Sequence, residues 1–137
     1  MILVDTNIVV PLAVPTPNTE KCRRLHHLDP DWHLADWWQI EFANVLRNLH
    51  RAGQLDINEA LVAMALGRSI FPSENTHPVD LVETLRIACE SNISAYDARF
   101  IALARNFGQK LVTEDTRLRK ACPADTLSLV EALATLP

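Results

Sequence analysis

The chain begins with the stretch Met1-Ile2-Leu3-Val4-Asp5-Thr6-Asn7, in which an apolar run is followed directly by an acid. A short apolar run of this kind is typical of a strand that is buried on both faces of a parallel sheet. Asp5 would then lie at the carboxyl end of that strand, and the residues after it would open a turn or a short helix through Leu12. Because ligands of open α/β sheets bind beyond the carboxyl ends of the strands, this stretch predicts both a fold class and the location of a site.

The rest of the chain continues this alternation of short strands with helices. Further strands are predicted at 32–35, 74–77, 110–113 and 126–129. Helices are predicted at 19–28, 37–52, 58–70, 78–91, 94–107 and 115–121, with a last one that ends at Leu136. Asp36 is placed to cap the helix at 37–52, and Pro78 to stand in the first turn of the helix at 78–91. The alternation predicts an α/β protein with a mostly parallel sheet, in a single domain over residues 1–137.

Composition excludes several classes of protein. With 137 residues, 48% of them hydrophobic and 22% charged, the chain has the make-up of one soluble globular domain. The formal charge of -4 argues against a general nucleic-acid coat, although a local basic patch is still allowed. Three widely separated glycines exclude a dinucleotide-binding GxGxxG and a P-loop.

Cellular location is predicted from the cysteines and from the apolar segments. The three cysteines are far apart and form no CxxC, which excludes a zinc ribbon and fits reduced thiols in a cytoplasm. The first residues lack the basic region of a signal peptide, and no apolar stretch approaches the ~20 residues that span a bilayer. We therefore expect a cytoplasmic protein without a membrane partner.

Four acids occupy positions where an ordinary surface charge is not expected. Asp5 and Asp115 follow predicted strands, and Asp97 lies in the first turn of a helix. Glu41 falls on or beside the apolar face of the helix at 37–52. Each also has a structural interpretation: a helix cap or turn for the aspartates, with Ser94 and Asp97 forming a capping box, and a boundary residue for Glu41.

The set of four acids is more informative than its members. In a parallel sheet these positions can converge on one pocket, where the carboxylates would repel one another unless some are protonated or a cation neutralises them. Mg²⁺ and Mn²⁺ prefer oxygen ligands, activate bound water and stabilise charge on a phosphate. The pattern therefore predicts a site for a hard divalent cation.

These acids lie in motifs that resemble those of the PIN-domain nucleases, and especially the VapC-like toxins. Residues 2–7 resemble the opening motif of that family, and Glu41 in 41–46 resembles its helix-borne glutamate. Residues 96–104 resemble the third acidic motif, and residues 111–115 the last one. No single motif is specific, but their order and spacing together are, whereas residues 54–92 match no motif.

The resemblance implies an α/β/α sandwich with a divalent-metal ribonuclease site. Asp5, Glu41, Asp97 and Asp115 would be the catalytic acids and would bind Mg²⁺ or Mn²⁺. Three further residues would shape the site: Thr6, Asn7 and Thr113. The resemblance also implies a homodimer that is held inactive by a small antitoxin protein.

Basic and aromatic residues near the acids are candidates for contacts with RNA. Six of the 13 Lys and Arg residues fall within 99–120. A rim of basic residues would contact phosphates, and its candidate members are Arg99, Arg117, Arg119 and Lys120. The alternative is an ordinary solvated surface. Trp37 and Trp38 either stack on a base or pack in the core or a dimer interface.

Two other functions fit parts of this pattern. A phosphatase with Asp5 as its nucleophile would usually carry a second acid two residues on, where this chain has Asn7. A nuclease-like domain that binds nucleic acid or a partner without cleavage would be expected to lack some of the four acids, and none is lost. The predicted function is a divalent-metal-dependent endoribonuclease, the toxin of a toxin–antitoxin pair, with the binding module as the alternative.

Overall fold

A five-stranded sheet in which every pairing is parallel runs through the computed structural model, which describes residues 1–136. The strands are β1 (Ile2–Val4), β2 (Trp32–Ala35), β3 (Thr76–His77), β4 (Leu111–Val112) and β5 (Thr126–Leu127). Their order across the sheet is β3-β2-β1-β4-β5. The chain therefore builds the sheet in one direction from β1 and then returns to add β4 on the other side. Such a reversal opens a crevice at the carboxyl ends of the two strands that flank it, here β1 and β4.

Helices cover the sheet in two groups. They are α1 (Thr6–Ala13), α2 (Thr19–Leu28), α3 (Trp38–Arg51), α4 (Ile57–Ile70), α5 (Leu81–Ser91), α6 (Ala95–Phe107), α7 (Thr116–Ala121) and α8 (Leu129–Thr135). Helices α1 to α4 and α8 pack on one another, whereas α5 packs on α6 and α6 contacts β2 and β4. The predicted α/β/α sandwich with a mostly parallel sheet is confirmed.

The core is densest around α6. All residues from Ala98 to Ala104 are buried, so this helix is covered on every side. Its alanines allow the backbone to approach its neighbours closely, and its larger side chains fill the space between α5 and the sheet. The first turn of α6 is consequently held in a fixed position, and that turn carries Asp97.

A close contact between α3 and α4 fixes the position of α3. Gly67 of α4 lies against the ring of Phe42, and a methyl group at position 67 would overlap that ring. Phe42 itself is fully buried, so the ring has little room to move. The contact matters for the site because Glu41 precedes Phe42 on α3.

Two helix starts differ from the predictions. Asp36 does not cap α3, because its N–H donates to the carbonyl of His77, and this hydrogen bond keeps Asp36 in register with β3. Trp37 takes the N-cap position instead, with a left-handed φ of 69°. Pro78 lies outside α5, because Asp80 caps that helix by accepting from two backbone N–H groups. In the part of the chain that the structure describes, no helix is long and apolar enough to cross a membrane.

Candidate active site

Residues that follow β1 and β4 meet at the crevice between these neighbouring strands. The N–H of Asp5 donates to the carbonyl of Val112 at 3.0 Å, which extends the pairing of the two strands by one residue. Thr113 comes next on the β4 side and is fully buried. Asp5 and Thr113 therefore face each other across the crevice, 108 residues apart in sequence.

Asp5 is the most buried of the four candidate acids, with 9% of the residue exposed. Its Oδ2 accepts hydrogen bonds from Asn7 Nδ2 at 2.6 Å and from Thr113 Oγ1 at 2.7 Å. Asn7 Nδ2 also donates to Thr113 Oγ1 at 3.1 Å, which closes the three side chains into one network. Within residues 1–136, Oδ1 of Asp5 receives no hydrogen bond. One oxygen of Asp5 is thus fixed by the protein and the other remains available.

Glu41 reaches the same place from α3, and both of its oxygens are engaged. Oε2 accepts from Thr6 Oγ1 at 2.8 Å, and Oε1 lies 2.7 Å from Nη2 of Arg99. The side chain of Arg99 is only 6% exposed, whereas that of Glu41 is 25% exposed. The structure therefore brings together Glu41, Thr6 and a buried cation.

Asp97 lies in the first turn of α6 with its carboxylate free. Ser94 caps this helix through Oγ, which accepts from the Asp97 N–H at 3.0 Å. Within the described chain, the Asp97 carboxylate has no hydrogen-bond partner. The capping interpretation therefore applies to Ser94, and the carboxylate of Asp97 is left for another role.

Asp115 is differently placed from the other three acids. Its Oδ1 accepts from the N–H groups of Arg117 and Leu118, at 2.8 and 3.0 Å, and so caps α7. Its own N–H donates to Thr113 Oγ1 at 3.1 Å, which links it to the network around Asp5. Asp115 therefore does cap a helix, as its structural interpretation predicted. Among residues 1–136, no group donates a hydrogen bond to its Oδ2.

The proximity of the acids changes the protonation of Asp5. Burial, together with the charges of Glu41 and Asp97, raises the pKa of Asp5 from 3.8 to about 6. The hydrogen bonds from Thr113 and Asn7 act in the opposite direction. Asp115 is not among the groups that shift it. Three of the four predicted acids therefore form one electrostatic cluster, and Asp115 stands at its edge.

The donor atoms at this cluster fit a hard divalent cation in chemistry and in charge. In the described part of the chain, no three His, Cys, Asp or Glu side chains stand close enough to enclose an ion. Among residues 1–136, the carboxylates of Asp5 and Asp97 nevertheless keep oxygens that accept no hydrogen bond from the protein, as does Oδ2 of Asp115 at the edge of the cluster. Mg²⁺ is commonly held by one or two carboxylates and keeps several waters. A cation would also relieve the repulsion that raises the pKa of Asp5.

The predicted basic rim is only partly at the surface. Arg117 and Lys120 are exposed, and Arg119 lies 3.9 Å from Glu131. Arg119 and Lys120 line an open cavity of about 250 Å³ beside α7. The expectation of an exposed guanidinium at Arg99 is wrong, because that side chain is buried against Glu41.

Sequence reasoning missed the environment of Asp36. This acid directly follows β2, as Asp5 follows β1, so the same signal was present in the sequence. Its Oδ1 is buried without a hydrogen-bond partner in residues 1–136, and its carbonyl accepts from Arg99 Nη1. A structural role of Glu114 was also missed, because its Oε1 accepts from the Leu129 N–H at 2.7 Å and holds the start of α8. Trp38 is fully buried in the core, whereas Trp37 is largely exposed.

Comparison with known proteins gives this fold and site a family. The sequence profile of the PIN domain matches residues 2–122. The chain belongs to the PIN domain family. This PIN domain protein is 29% identical over 125 residues to Ribonuclease VapC3 from Pyrobaculum aerophilum, an alignment that covers 90% of the chain and 95% of that relative. The family resemblance of the sequence motifs is confirmed.

Solved structures agree with this assignment at the level of the fold. The PIN domain protein superposes on PAE2754 from Pyrobaculum aerophilum with a TM-score of 0.75 and 24% identity, over 96% of this chain and 92% of that one. It superposes on a toxin–antitoxin complex from Klebsiella pneumoniae with a TM-score of 0.64 and 20% identity, over 94% of this chain and 98% of that one. At these identities the likeness shows the shared fold.

Proposed function

We propose that this PIN domain protein is a divalent-metal-dependent endoribonuclease and the toxin of a toxin–antitoxin pair. The observation that carries the proposal is the convergence of Asp5, Glu41 and Asp97 at the crevice between β1 and β4. A cluster of acids in which one buried carboxyl has its pKa raised to about 6 is typical of a functional site. The relative named as a ribonuclease aligns with nearly the whole chain, which favours RNA as the substrate.

Each acid has a distinct part in this proposal. Asp5, Glu41, Asp97 and Asp115 are the catalytic acids, and Asp5 and Asp97 offer the oxygens that are free to hold a metal ion. When bound, Mg²⁺ or Mn²⁺ supplies an activated water and stabilises negative charge on the phosphate. Asn7 and Thr113 orient the Asp5 carboxylate.

Arg117, Arg119 and Lys120 are the proposed contacts for the RNA backbone. They lie on α7, whose N-terminus is capped by Asp115, so they are close to the site along the chain. Charges of this kind position a nucleic acid through its phosphates and carry no sequence information. The target is therefore selected by other features.

Two exposed apolar surfaces support the proposed antitoxin and homodimer. One comprises Ile57, Leu61, Val62 and Leu66 along α4. The other comprises Leu81, Val82 and Leu85 of α5 with the neighbouring Trp37 and Tyr96. Clusters of exposed large apolar side chains mark interaction surfaces. Two partners, a second copy and an antitoxin, would cover both in the cytoplasm.

Cleavage of a cellular RNA pool by the purified chain tests the proposal. Reactions contain Mg²⁺, Mn²⁺ or EDTA and compare the wild type with Asp5→Asn, Asp97→Asn and the surface control Glu20→Gln. We expect discrete fragments that need metal, persist in the control and disappear in the two site variants. Fragments that form equally well in EDTA, or with both site variants, would contradict the proposal.

A module that binds RNA without cutting is the second candidate. The observation that favours it is that Thr6 and Arg99 engage both Glu41 oxygens, so neither oxygen is free to bind a metal ion. Metal-independent RNA binding by a folded chain that produces no fragments would support this candidate.

A further inference from the structure

Arg99 is a buried cation in contact with Glu41, one of the proposed catalytic acids. Its Nη2 lies 2.7 Å from Glu41 Oε1, in an ion pair that lacks the alignment of a hydrogen bond. Its Nε donates to the carbonyl of Tyr96 at 3.1 Å, and its Nη1 donates to the carbonyl of Asp36. A buried arginine needs such partners, since an unpaired charge inside a protein is strongly unfavourable.

The contacts fix the guanidinium more firmly than they fix Glu41. Two backbone carbonyls, from the loop after β2 and from α6, hold Arg99, and the side chain is only 6% exposed. Within residues 1–136, the Glu41 carboxylate contacts side chains only, those of Arg99 and Thr6, and it is partly open to solvent. Arg99 is thus the fixed member of the ion pair, and it determines where the Glu41 carboxylate lies.

The charge of Arg99 also acts on the cluster as a whole. Asp5, Glu41 and Asp97 contribute three carboxylates, and Arg99 contributes one opposing charge beside Glu41. A divalent cation that enters this cluster is attracted by the acids and repelled by the guanidinium. At the short range and reduced dielectric of a partly buried site, one unit charge changes such an affinity by about tenfold or more.

We infer that Arg99 is a positioning residue with two opposing effects: it holds Glu41 in place for the reaction and it limits how tightly the site binds a divalent cation. The inference rests on the proposed function. It predicts a signature that a merely structural arginine would not give. Loss of the guanidinium should tighten metal binding while it slows cleavage.

Calorimetric titration of the metal-free protein with Mn²⁺, in parallel with cleavage assays, tests this inference. For Arg99→Gln we expect the dissociation constant for Mn²⁺ to fall about tenfold and kcat to fall about tenfold or more. Arg99→Lys keeps the charge, so it should bind Mn²⁺ like the wild type and recover part of the rate.

Two matched variants separate charge from position. Thr6→Val removes the other donor to Glu41 without a change of charge, so kcat should fall while the affinity for Mn²⁺ does not rise. Arg105→Met removes one positive charge from the same helix, at its exposed pair with Asp125, and should leave the affinity unchanged. If Arg99→Gln does not fold, the double variant Glu41→Gln/Arg99→Gln is compared with Glu41→Gln and should again bind Mn²⁺ more tightly.

The outcomes distinguish the inference from the function on which it rests. A wild type that neither binds Mn²⁺ nor cleaves RNA would overturn the proposed function, and the inference with it. A wild type that does both, beside an Arg99→Gln variant with unchanged or weaker Mn²⁺ binding, would overturn the inference alone. Equal tightening in Arg105→Met would also overturn it, because the effect would then come from net charge.

Discussion

The two ends of the central sheet both carry acids, but in opposite electrostatic states. At the amino ends of β1 and β2, the N-terminal ammonium of Met1 lies 3.1 Å from Asp29 and 3.4 Å from Asp31. His33 adds a contact to Asp31 at 2.9 Å, and this hydrogen bond and the nearby positive charge lower the pKa of Asp31. At the carboxyl end, burial and neighbouring acids raise the pKa of Asp5.

The difference shows which acids stabilise the fold and which destabilise it. The acids at the amino ends have cationic partners and solvent, so their charges are compatible with folding. Among residues 1–136, Asp5 has no cationic partner and is largely shielded from solvent, so its charged form costs free energy in the metal-free protein. Acids that destabilise the chain in which they lie are the ones to examine for catalysis.

The largest expected effect is on cleavage. Asp5→Asn should reduce the rate about a thousandfold, roughly 4 kcal/mol in activation free energy, because it removes a charged oxygen donor from the cluster. Asp31→Asn, at the other end of the sheet, should leave the rate within about twofold. Single-turnover cleavage assays measure both, and a comparable loss in Asp31→Asn would remove the distinction between the two ends.

The second effect is on stability: the same variant that loses activity, Asp5→Asn, should gain stability. The folded chain binds a proton at Asp5 more tightly than the unfolded chain does, so ionisation lowers stability as the pH rises from about 4 to 6. Asp5→Asn should therefore increase the free energy of unfolding of the metal-free protein at pH 7.5 by about 3 kcal/mol, the equivalent of the pKa change. Urea denaturation in EDTA at pH 7.5 and pH 3 tests this: the gain should be absent at pH 3.

The third effect concerns the helix contact behind Glu41. Gly67→Ala should lower the free energy of unfolding by about 2 kcal/mol, because its methyl group overlaps the Phe42 ring. Phe42→Leu should relieve part of that overlap, so the double variant should lose less than the sum of the single losses. Strict additivity in denaturation experiments would show that the two residues do not clash.

The smallest effect is expected at the amino ends of the strands. Asp31→Asn should lower the free energy of unfolding at pH 7.5 by less than about 1 kcal/mol, since its ion pairs are exposed. The lowered pKa of Asp31 means that its contribution is present above about pH 4 and is lost as the pH falls. If Asp31→Asn raised the free energy of unfolding at neutral pH, the charged acids at the two ends of the sheet would not have opposite effects on stability, contrary to this comparison.

Local sequence signals were sufficient for most of the fold. Short, mostly apolar runs located β1, β2 and β4, and caps such as Ser94 located helix starts, because both signals depend on neighbouring residues. Pro78 misled the prediction for α5, since a proline fits the first turn of a helix and also the loop before it. Asp36 misled the prediction for α3, because its N–H bonds to His77, a contact that no local pattern reports.

The sequence predicted that acids would lie at this crevice, but it did not predict the buried cation beside Glu41. An acid directly after a buried strand is a local signal, and it located Asp5. Arg99 follows Asp97 by two residues on a helix, where an arginine usually faces solvent. Its burial depends on Glu41, 58 positions earlier in the chain, and on a carbonyl of the loop after β2. A sequence by itself does not specify such a tertiary contact.

The strand order also determines when the site can form during synthesis. The first strand to be made, β1, is the central one, and its partner β4 is added more than one hundred residues later. Until that segment has left the ribosome, Asp5 has no Thr113 beside it and the crevice has only one wall. Pairings between such distant segments form slowly. In a nascent chain of this topology, the crevice is therefore completed only after the segment that carries β4 has been made.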